Sequence, residues 1–400
     1  MSAPKYLGIV LVGSIGTILA NSGLAATEPQ AMDLGPVKFV PTIDLVQRFD
    51  DNIFSQAVNE VSSSVTMAKP QLQFIAQQDA NVAALTYMGD YGRYSSSSDD
   101  NYADHTLSLD AALEANDQHR FKFAASAAKL HDARGEGSSE GVIATSRAEP
   151  DEYDANNFGG TYDFGREDAI LGLEFSADKT DVQYTNNLTE TRFRDRNDTS
   201  YGAKFFGRLA PKTRFFVEVV RKDISYDNAP IAGAILDSKE QNVLVGAEWE
   251  VTGKTTGAVK IGRLNKDFDA DARGKAAFTN WEALVSWAPR SYSLLSLVAN
   301  KSPQETNGTG SFIESSSYSL NWMHDWSSYM HTTASAGMGK DSYDNDPRED
   351  DRMSYSLAAN YDIDSWVNIA AAYSYTDRDS NLDGFDYKRN QFSVTLSLSL

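Results

Sequence analysis

The sequence predicts an all-β chain closed into a single antiparallel transmembrane β-barrel of about eighteen strands, with short periplasmic turns and longer extracellular loops. Three observations predict it. The chain closes on DYKRNQFSVTLSLSL, in which Phe392, Val394, Leu396, Leu398 and Leu400 alternate strictly with Gln391, Ser393, Thr395, Ser397 and Ser399. Successive side chains of a strand point to opposite faces, so this segment has one apolar face and one small, polar face. Short turn signals and longer polar stretches alternate along the whole chain, and the first residues have the composition of an export signal.

Taken in chain order, residues 1–26 read as a cleaved signal peptide. Lys5 gives a positive start, Tyr6–Ala20 is apolar, and Gly23-Leu24-Ala25-Ala26 offers small residues for cleavage after Ala25 or Ala26. No later segment approaches the roughly 18 apolar residues that a spanning helix needs, so membrane residence by helices is excluded. Residues 27–36 then form a short lead, and 37–400 form the barrel, with the first strand near Val37. So short a lead leaves no room for a plug or a periplasmic module. The absence of cysteine in an exported chain removes a disulfide framework, a thiol nucleophile and thiolate metal sites. A net charge of −20 argues against a nucleic-acid partner, because phosphate binding requires a basic surface.

Within 37–400 the short turns are expected at Gln78-Asp79, Asn116-Asp117, Gly165-Arg166-Glu167, Pro211-Lys212, Gly253-Lys254, Pro289-Arg290, Trp326-Ser327 and Asp362-Ile363-Asp364. Between them lie longer polar stretches: 94–101, 134–151, 186–198, 227–236, 268–276, 303–311, 341–350 and 377–386. Consecutive short turns stand roughly 36 to 49 residues apart, room for two strands, one turn and one loop. The segments between carry period two. Val243, Val245, Ala247 and Trp249 share one face; so do Met353, Tyr355, Leu357, Ala359 and Tyr361. No stretch sustains a 3.6-residue apolar stripe with helix caps. The closing strand is expected to pair with the first near Val37 and to be the segment read by the barrel-assembly machinery.

Aromatic residues gather at both ends of the strands. Trp249, Trp287, Trp326 and Trp366 stand near short turns; Tyr91, Tyr94, Tyr102, Tyr184, Tyr226, Tyr373, Tyr375 and Tyr387 stand near long loops. Such girdles suit amphipathic rings at the headgroups of a membrane.

If the apolar face meets lipid, the opposite face lines an aqueous lumen, as a barrel of this strand number requires. That parity assigns Asp110, Glu114, Lys122, Glu174, Lys204, Arg208, Glu218, Glu248, Lys260 and Glu282 to the lumen. Both signs are present, which fits charge pairing between neighbouring strands and also a hydrated path for a polar solute. No catalytic residue is assigned and no cofactor is expected. The five histidines, His105, His119, His131, His324 and His331, fall in no metal-ligand spacing and beside no serine-nucleophile motif. Asp379, Asn381 and Asp383, followed by Gly384, match the first half of a calcium loop. The closing glutamate is missing, since Asn390 holds its position, so they are a weak metal candidate. Loop 134–151, with Val142-Ile143-Ala144 at its centre, is long enough to fold into the lumen and constrict it.

Several short motifs, in order, carry a family resemblance. They are Arg48-Phe-Asp-Asp-Asn52-Ile-Phe54, Tyr91-Gly-Arg-Tyr94, Leu236-Asp-Ser238 and Gly246-Ala-Glu-Trp-Glu250. Further on come Trp287-Ala-Pro-Arg-Ser-Tyr292, Ile313-Glu-Ser315, Trp322-Met-His-Asp-Trp-Ser-Ser328, Arg348-Glu-Asp-Asp351 and Tyr375-Thr-Asp-Arg-Asp379. From about Gly35 onward the chain resembles the β-barrel porin-2 family of outer-membrane proteins associated with exopolysaccharide or capsule synthesis.

The resemblance implies a non-enzymatic outer-membrane barrel that takes part in exopolysaccharide or capsular polysaccharide export, as conduit or scaffold. Its expected partners are outer-membrane lipid, the barrel-assembly machinery, the polysaccharide and a periplasmic polysaccharide export protein. The polar lumen equally supports a general diffusion porin for small polar solutes, and the acidic loops support a surface adhesion or structural barrel. The chain ends in Leu400, where many barrel proteins end in an aromatic residue.

Overall fold

The computed structural model describes residues 31–399 apart from 167, 231, 232 and 251–253, so the signal peptide expected over 1–26 lies outside the described residues. The strands are β1 (Met32–Leu34), β2 (Val37–Asp50), β3 (Ser63–Gln78), β4 (Asn81–Tyr94), β5 (Tyr102–Asn116) and β6 (His119–Asp132). Next come β7 (Asp151–Phe164), β8 (Leu171–Tyr184), β9 (Arg196–Ala210), β10 (Thr213–Tyr226), β11 (Ser238–Glu250), β12 (Thr255–Phe268) and β13 (Lys275–Arg290). The last are β14 (Ser293–Glu305), β15 (Phe312–Asp325), β16 (Met330–Tyr343), β17 (Glu349–Asp364), β18 (Val367–Ser380) and β19 (Tyr387–Ser399).

From β2 onward each strand pairs antiparallel with its neighbours in the chain, and β19 pairs with β2 to close the ring. Eighteen strands form the barrel, as the turn rhythm predicts, and β1 is one extra. Closure gives every strand two partners, the only way a sheet can satisfy its backbone groups in hydrocarbon.

The seam lies further along β2 than expected. Leu398 faces Ile43, Phe392 faces Phe49, and the pairing starts at Thr42 rather than near Val37. The stagger of a tilted barrel is the cause: β19 ends before it can cover the start of β2. β1 covers that edge instead. Gly35, at φ +72°, turns the chain so that Leu34 faces Val37 and Met32 faces Phe39. The other edge of Val37–Phe39 is already held by β3, so β1 occupies the side that β19 leaves open.

Alternation sorts the two faces. Leu45, Phe49, Leu107, Leu109, Phe175, Val217, Val245, Leu357 and Phe392 are all exposed on one face; most of their neighbours in sequence are polar or small, and of the apolar exceptions Phe216 and Leu244 are buried on the other face. An apolar belt of this extent is unstable against water and stable against lipid. Two short turns fall later than predicted. β13 runs on through Pro289 and Arg290 by way of a register shift between Trp287 and Arg290. β17 runs on to Asp364 with a shift between Asp362 and Asp364. A bulge at the rim lets pairing continue through residues that read as a turn.

The tryptophans near the short turns are on the outer side: Trp287, Trp326 and Trp366 are 50%, 59% and 43% exposed. The tyrosine girdle is only partly borne out. Tyr91 and Tyr373 are exposed, but Tyr184 and Tyr226 are buried. Their hydroxyls donate to Asp132 (3.0 Å) and Glu305 (2.6 Å), Tyr102 donates to Asp90 (3.1 Å), and Arg378 lies 4.7 Å over the Tyr387 ring. Proximity to a loop does not fix which face a side chain takes; parity does.

Candidate functional site: the inner wall and the mouth

The face opposite the apolar belt carries a ladder of charge across consecutive strands. Lys204 on β9 lies 3.5 Å from Glu174 on β8 and 3.9 Å from Glu218 on β10. Glu218 also meets Lys260 on β12 at 3.7 Å, and Lys260 meets Glu282 on β13 at 3.2 Å. The reach from β10 to β12 passes over Gly246 on β11, which stands opposite Lys260. Beside this row, Arg214 holds Glu248 at 2.6 Å, and Lys122 lies 3.8 Å from Asp163. Seven of the ten residues assigned to the lumen by parity are therefore joined in ion pairs.

The other three are placed differently. Arg208 sits at a short turn and donates to the Pro211 carbonyl at 2.8 Å and the Ala169 carbonyl at 3.3 Å. Asp110 and Glu114 stand on β5 opposite Ala124 and Arg120, with no ion-pair partner among the described residues. Arg214 and Asp163, which complete two of the pairs, are absent from the sequence assignment although the same parity would have found them.

Across the barrel the wall changes character. Over the middle of β14–β19 the inward positions are small or uncharged, with many hydroxyls and amides: Ser335 meets Ser356 at 2.6 Å, Ser374 donates to Gln391 at 3.2 Å, and Ser286 on β13 meets Ser296 on β14 at 3.1 Å. One side is charged and self-paired, the other uncharged and hydrogen-bonding.

At the long-loop end, residues 133–150 leave the gap between β6 and β7 and cross the mouth. Glu140 is the anchor. Its carboxylate pairs with Arg348, before β17, and with Arg378, on β18, each at 2.8 Å, and accepts from Asn307, between β14 and β15, at 3.0 Å. Those partners lie on the far side of an eighteen-strand ring, so the contacts can form only across its opening. The Gly141 carbonyl accepts from Gln56 at 2.7 Å, and the one-turn helix Ile143–Ser146 buries Ala144 against Ile53 and Phe54. Gly135 roots this strap. At φ +92° it approaches Phe54 so closely that a Cβ would stand 2.1 Å from the Phe54 carbonyl oxygen.

The anchor is buried. The Arg348 side chain is 1% exposed and also pairs with Asp350 at 2.5 Å; Arg378 is 6% exposed. Burial works against the Arg348 charge, but Asp350 and Glu140 outweigh it and hold its pKa above the ordinary guanidinium value. Arg134 clamps the near end of the strap on Asp100 and lies 4.2 Å over the Phe54 ring. At the seam, Arg389 grips the fully buried Asp50 at 2.6 Å. None of these mouth residues stands among the sequence-assigned lumen residues. Several do lie in the motifs that carried the family resemblance: Asp50, Arg348, Asp350 and Arg378. Just before β11, Leu236 turns inward and packs with Ile224, Leu264, Phe268 and Phe312. Beneath it Lys266 is held between Glu240 (2.9 Å) and Glu305 (2.7 Å).

The weak calcium candidate does not come together. The Asn381 side chain is already used, accepting from the Glu349 amide at 2.8 Å and donating to the Pro347 carbonyl at 2.7 Å. Among the described residues no group of three His, Asp or Glu side chains is placed to hold a metal ion. Of the histidines, His331 bridges Asp325 (2.8 Å) and Asp362 (2.9 Å), His131 pairs with Asp104 (2.9 Å), and His105 and His119 bond Tyr87 and Tyr162.

The family profile described as "Putative beta-barrel porin 2" matches residues 25–400, and the chain belongs to that family. It is an outer-membrane protein of the Gram-negative type. Among solved structures, OpdK of Pseudomonas aeruginosa with vanillate is similar at a TM-score of 0.50, with 12% identity over 90% of this chain and 99% of that one. A BenF-like porin from Pseudomonas fluorescens Pf-5 gives a TM-score of 0.48, with 10% identity over 90% of this chain and 99% of that one. At these identities the likeness is one of fold. No curated protein matches the chain.

The expected role in exopolysaccharide or capsular polysaccharide export is corrected by these findings. The family is described as one of porins, which favours the alternative of a diffusion porin. The geometry agrees, because a strap pinned across the mouth by buried ion pairs obstructs a thick polymer far more than a small solute.

Proposed function

We propose that this protein is a non-enzymatic diffusion porin for small polar solutes. The observation that carries the reading is the inner wall: a largely neutralised ladder through Glu174, Lys204, Glu218, Lys260 and Glu282, three carboxylates against two lysines, facing a sector of serine, asparagine and glutamine hydroxyls and amides. In this reading all ten parity-assigned residues line the water path. Paired charges keep the wall hydrated without a strong field of one sign, and hydroxyls exchange hydrogen bonds with a passing solute as water does. The strap 133–150 sets the upper size limit.

Liposome swelling tests this. Vesicles holding the purified barrel should swell in an iso-osmotic monosaccharide or neutral amino acid and stay unchanged in a long dextran. Absence of swelling in every small solute, or equal entry of dextran, would contradict the proposal.

A further inference from the structure

The outer face carries a pattern that the lumen does not explain. On each ascending strand from β4 to β16, the outward run of apolar or small residues ends in a basic residue, the first charge met on that face. In order these are Arg93, Lys129, Lys179, Arg221, Arg263, Lys301 and Lys340. Seven consecutive ascending strands obey the rule; only β2 and β18, beside the seam, do not. On three of these strands the acidic residues of the same face lie further out, at Asp181, Asp223 and Asp267, while on β7 Asp154 stands level with Lys129.

The register shows that these residues form one collar. Lys179 stands opposite Phe158, Arg221 opposite Tyr201, Arg263 opposite Val243 and Lys301 opposite Trp281, so each lies beside a ring or branched side chain of the apolar belt. Pairing carries Arg221 through Gln241 to Asn265, and Arg263 lies two residues below that point. A downward step from one ascending strand to the next is what strand tilt requires for a ring to stay level. Neighbouring members are two strands apart, about 10 Å across the strands, with an added offset along them where the register steps down, as from Lys129, which pairs through Asp154 to Gln183, to Lys179.

We propose that this collar is a docking surface for the anionic headgroups of lipid in the outer leaflet. The apolar belt fixes the depth of the bilayer, and the collar stands at its edge on the long-loop side, where phosphate groups lie. Four members are partly neutralised: Lys129 by Asp154 (3.3 Å), Arg221 by Asp223 (3.1 Å), Lys301 by Glu314 (2.6 Å) and Lys340 by Glu349 (2.8 Å). Arg93, Lys179 and Arg263 are exposed and have no ion-pair partner among the described residues. In a chain of net charge −20, a ring of cations at one depth is opposite to the composition, and it matches the charge of a phosphate-bearing membrane surface.

The test is native mass spectrometry of the folded, detergent-purified barrel titrated with phosphatidylglycerol and with phosphatidylcholine. The wild type should retain phosphatidylglycerol at least about threefold over phosphatidylcholine, with the preference falling in high salt. The triple variant Arg93→Gln, Lys179→Gln, Arg263→Gln, with heat-modifiable mobility confirming a folded barrel, should lose most of it. Equal retention of the two lipids, or an undiminished preference in the folded triple variant, would overturn the proposal. So would full competition by millimolar inorganic phosphate, which would assign the collar to a free anion.

Discussion

Replacing Glu140 by alanine should convert the narrowed mouth into an open one. The substitution leaves Arg348 and Arg378, 1% and 6% exposed, without the carboxylate that joins them across the barrel. Removing one partner of a buried ion pair costs about 3–5 kcal/mol, enough to shift the docking equilibrium of the strap by at least about a hundredfold. Single-channel recordings in planar bilayers should show a larger conductance and frequent stepwise transitions. The barrel itself should persist, because its strands do not depend on the strap. Conductance identical to wild type would show that residues 133–150 do not limit the path.

The second large effect is expected at Lys204, which stands between Glu174 and Glu218. Lys204→Ala removes the one cation those two carboxylates share and leaves a negative charge on the wall. At about 7 Å in water a unit charge is worth about 0.6 kcal/mol, or roughly a threefold change in ion partitioning, and more where the path is narrow. The reversal potential in a salt gradient should therefore move toward that of cations by an amount corresponding to about threefold or more in permeability ratio. Raising the salt should shrink the effect, since the charge is then screened. An unchanged reversal potential would place the ladder off the conduction path.

The two predictions rest on features that differ in how far the sequence discloses them. The ladder is legible because it follows from period two: once the apolar face of β8, β9, β10, β12 and β13 is assigned to lipid, Glu174, Lys204, Glu218, Lys260 and Glu282 must share the other face. Strand number and closure follow from the same rhythm, and the errors there are local. Pro289-Arg290 and Asp362–Asp364 have turn composition, yet pairing runs through them by way of a bulge. The tyrosines near the loops misled for a related reason. Tyr102, Tyr184 and Tyr226 have polar partners inside, at Asp90, Asp132 and Glu305, and those partners cannot be seen without the register.

The strap is the least legible element. Its anchor joins residue 140 to residues 348 and 378, a link that no periodicity encodes and that exists only after the ring closes. Loop length at 134–151 and the apolar Val142-Ile143-Ala144 hinted at an inward fold, but not at where it docks. Arg348 and Arg378 stood in the family-like motifs, within the longer polar stretches 341–350 and 377–386. Their burial, and with it their role, is a property of the assembled mouth.

The most direct test of a diffusion porin is the wild-type protein alone in a planar bilayer. The expected result is a steady, ohmic current that needs no partner protein and no voltage threshold, and that rises in proportion to bulk salt. A purified, correctly folded barrel that carries no current under these conditions would contradict it.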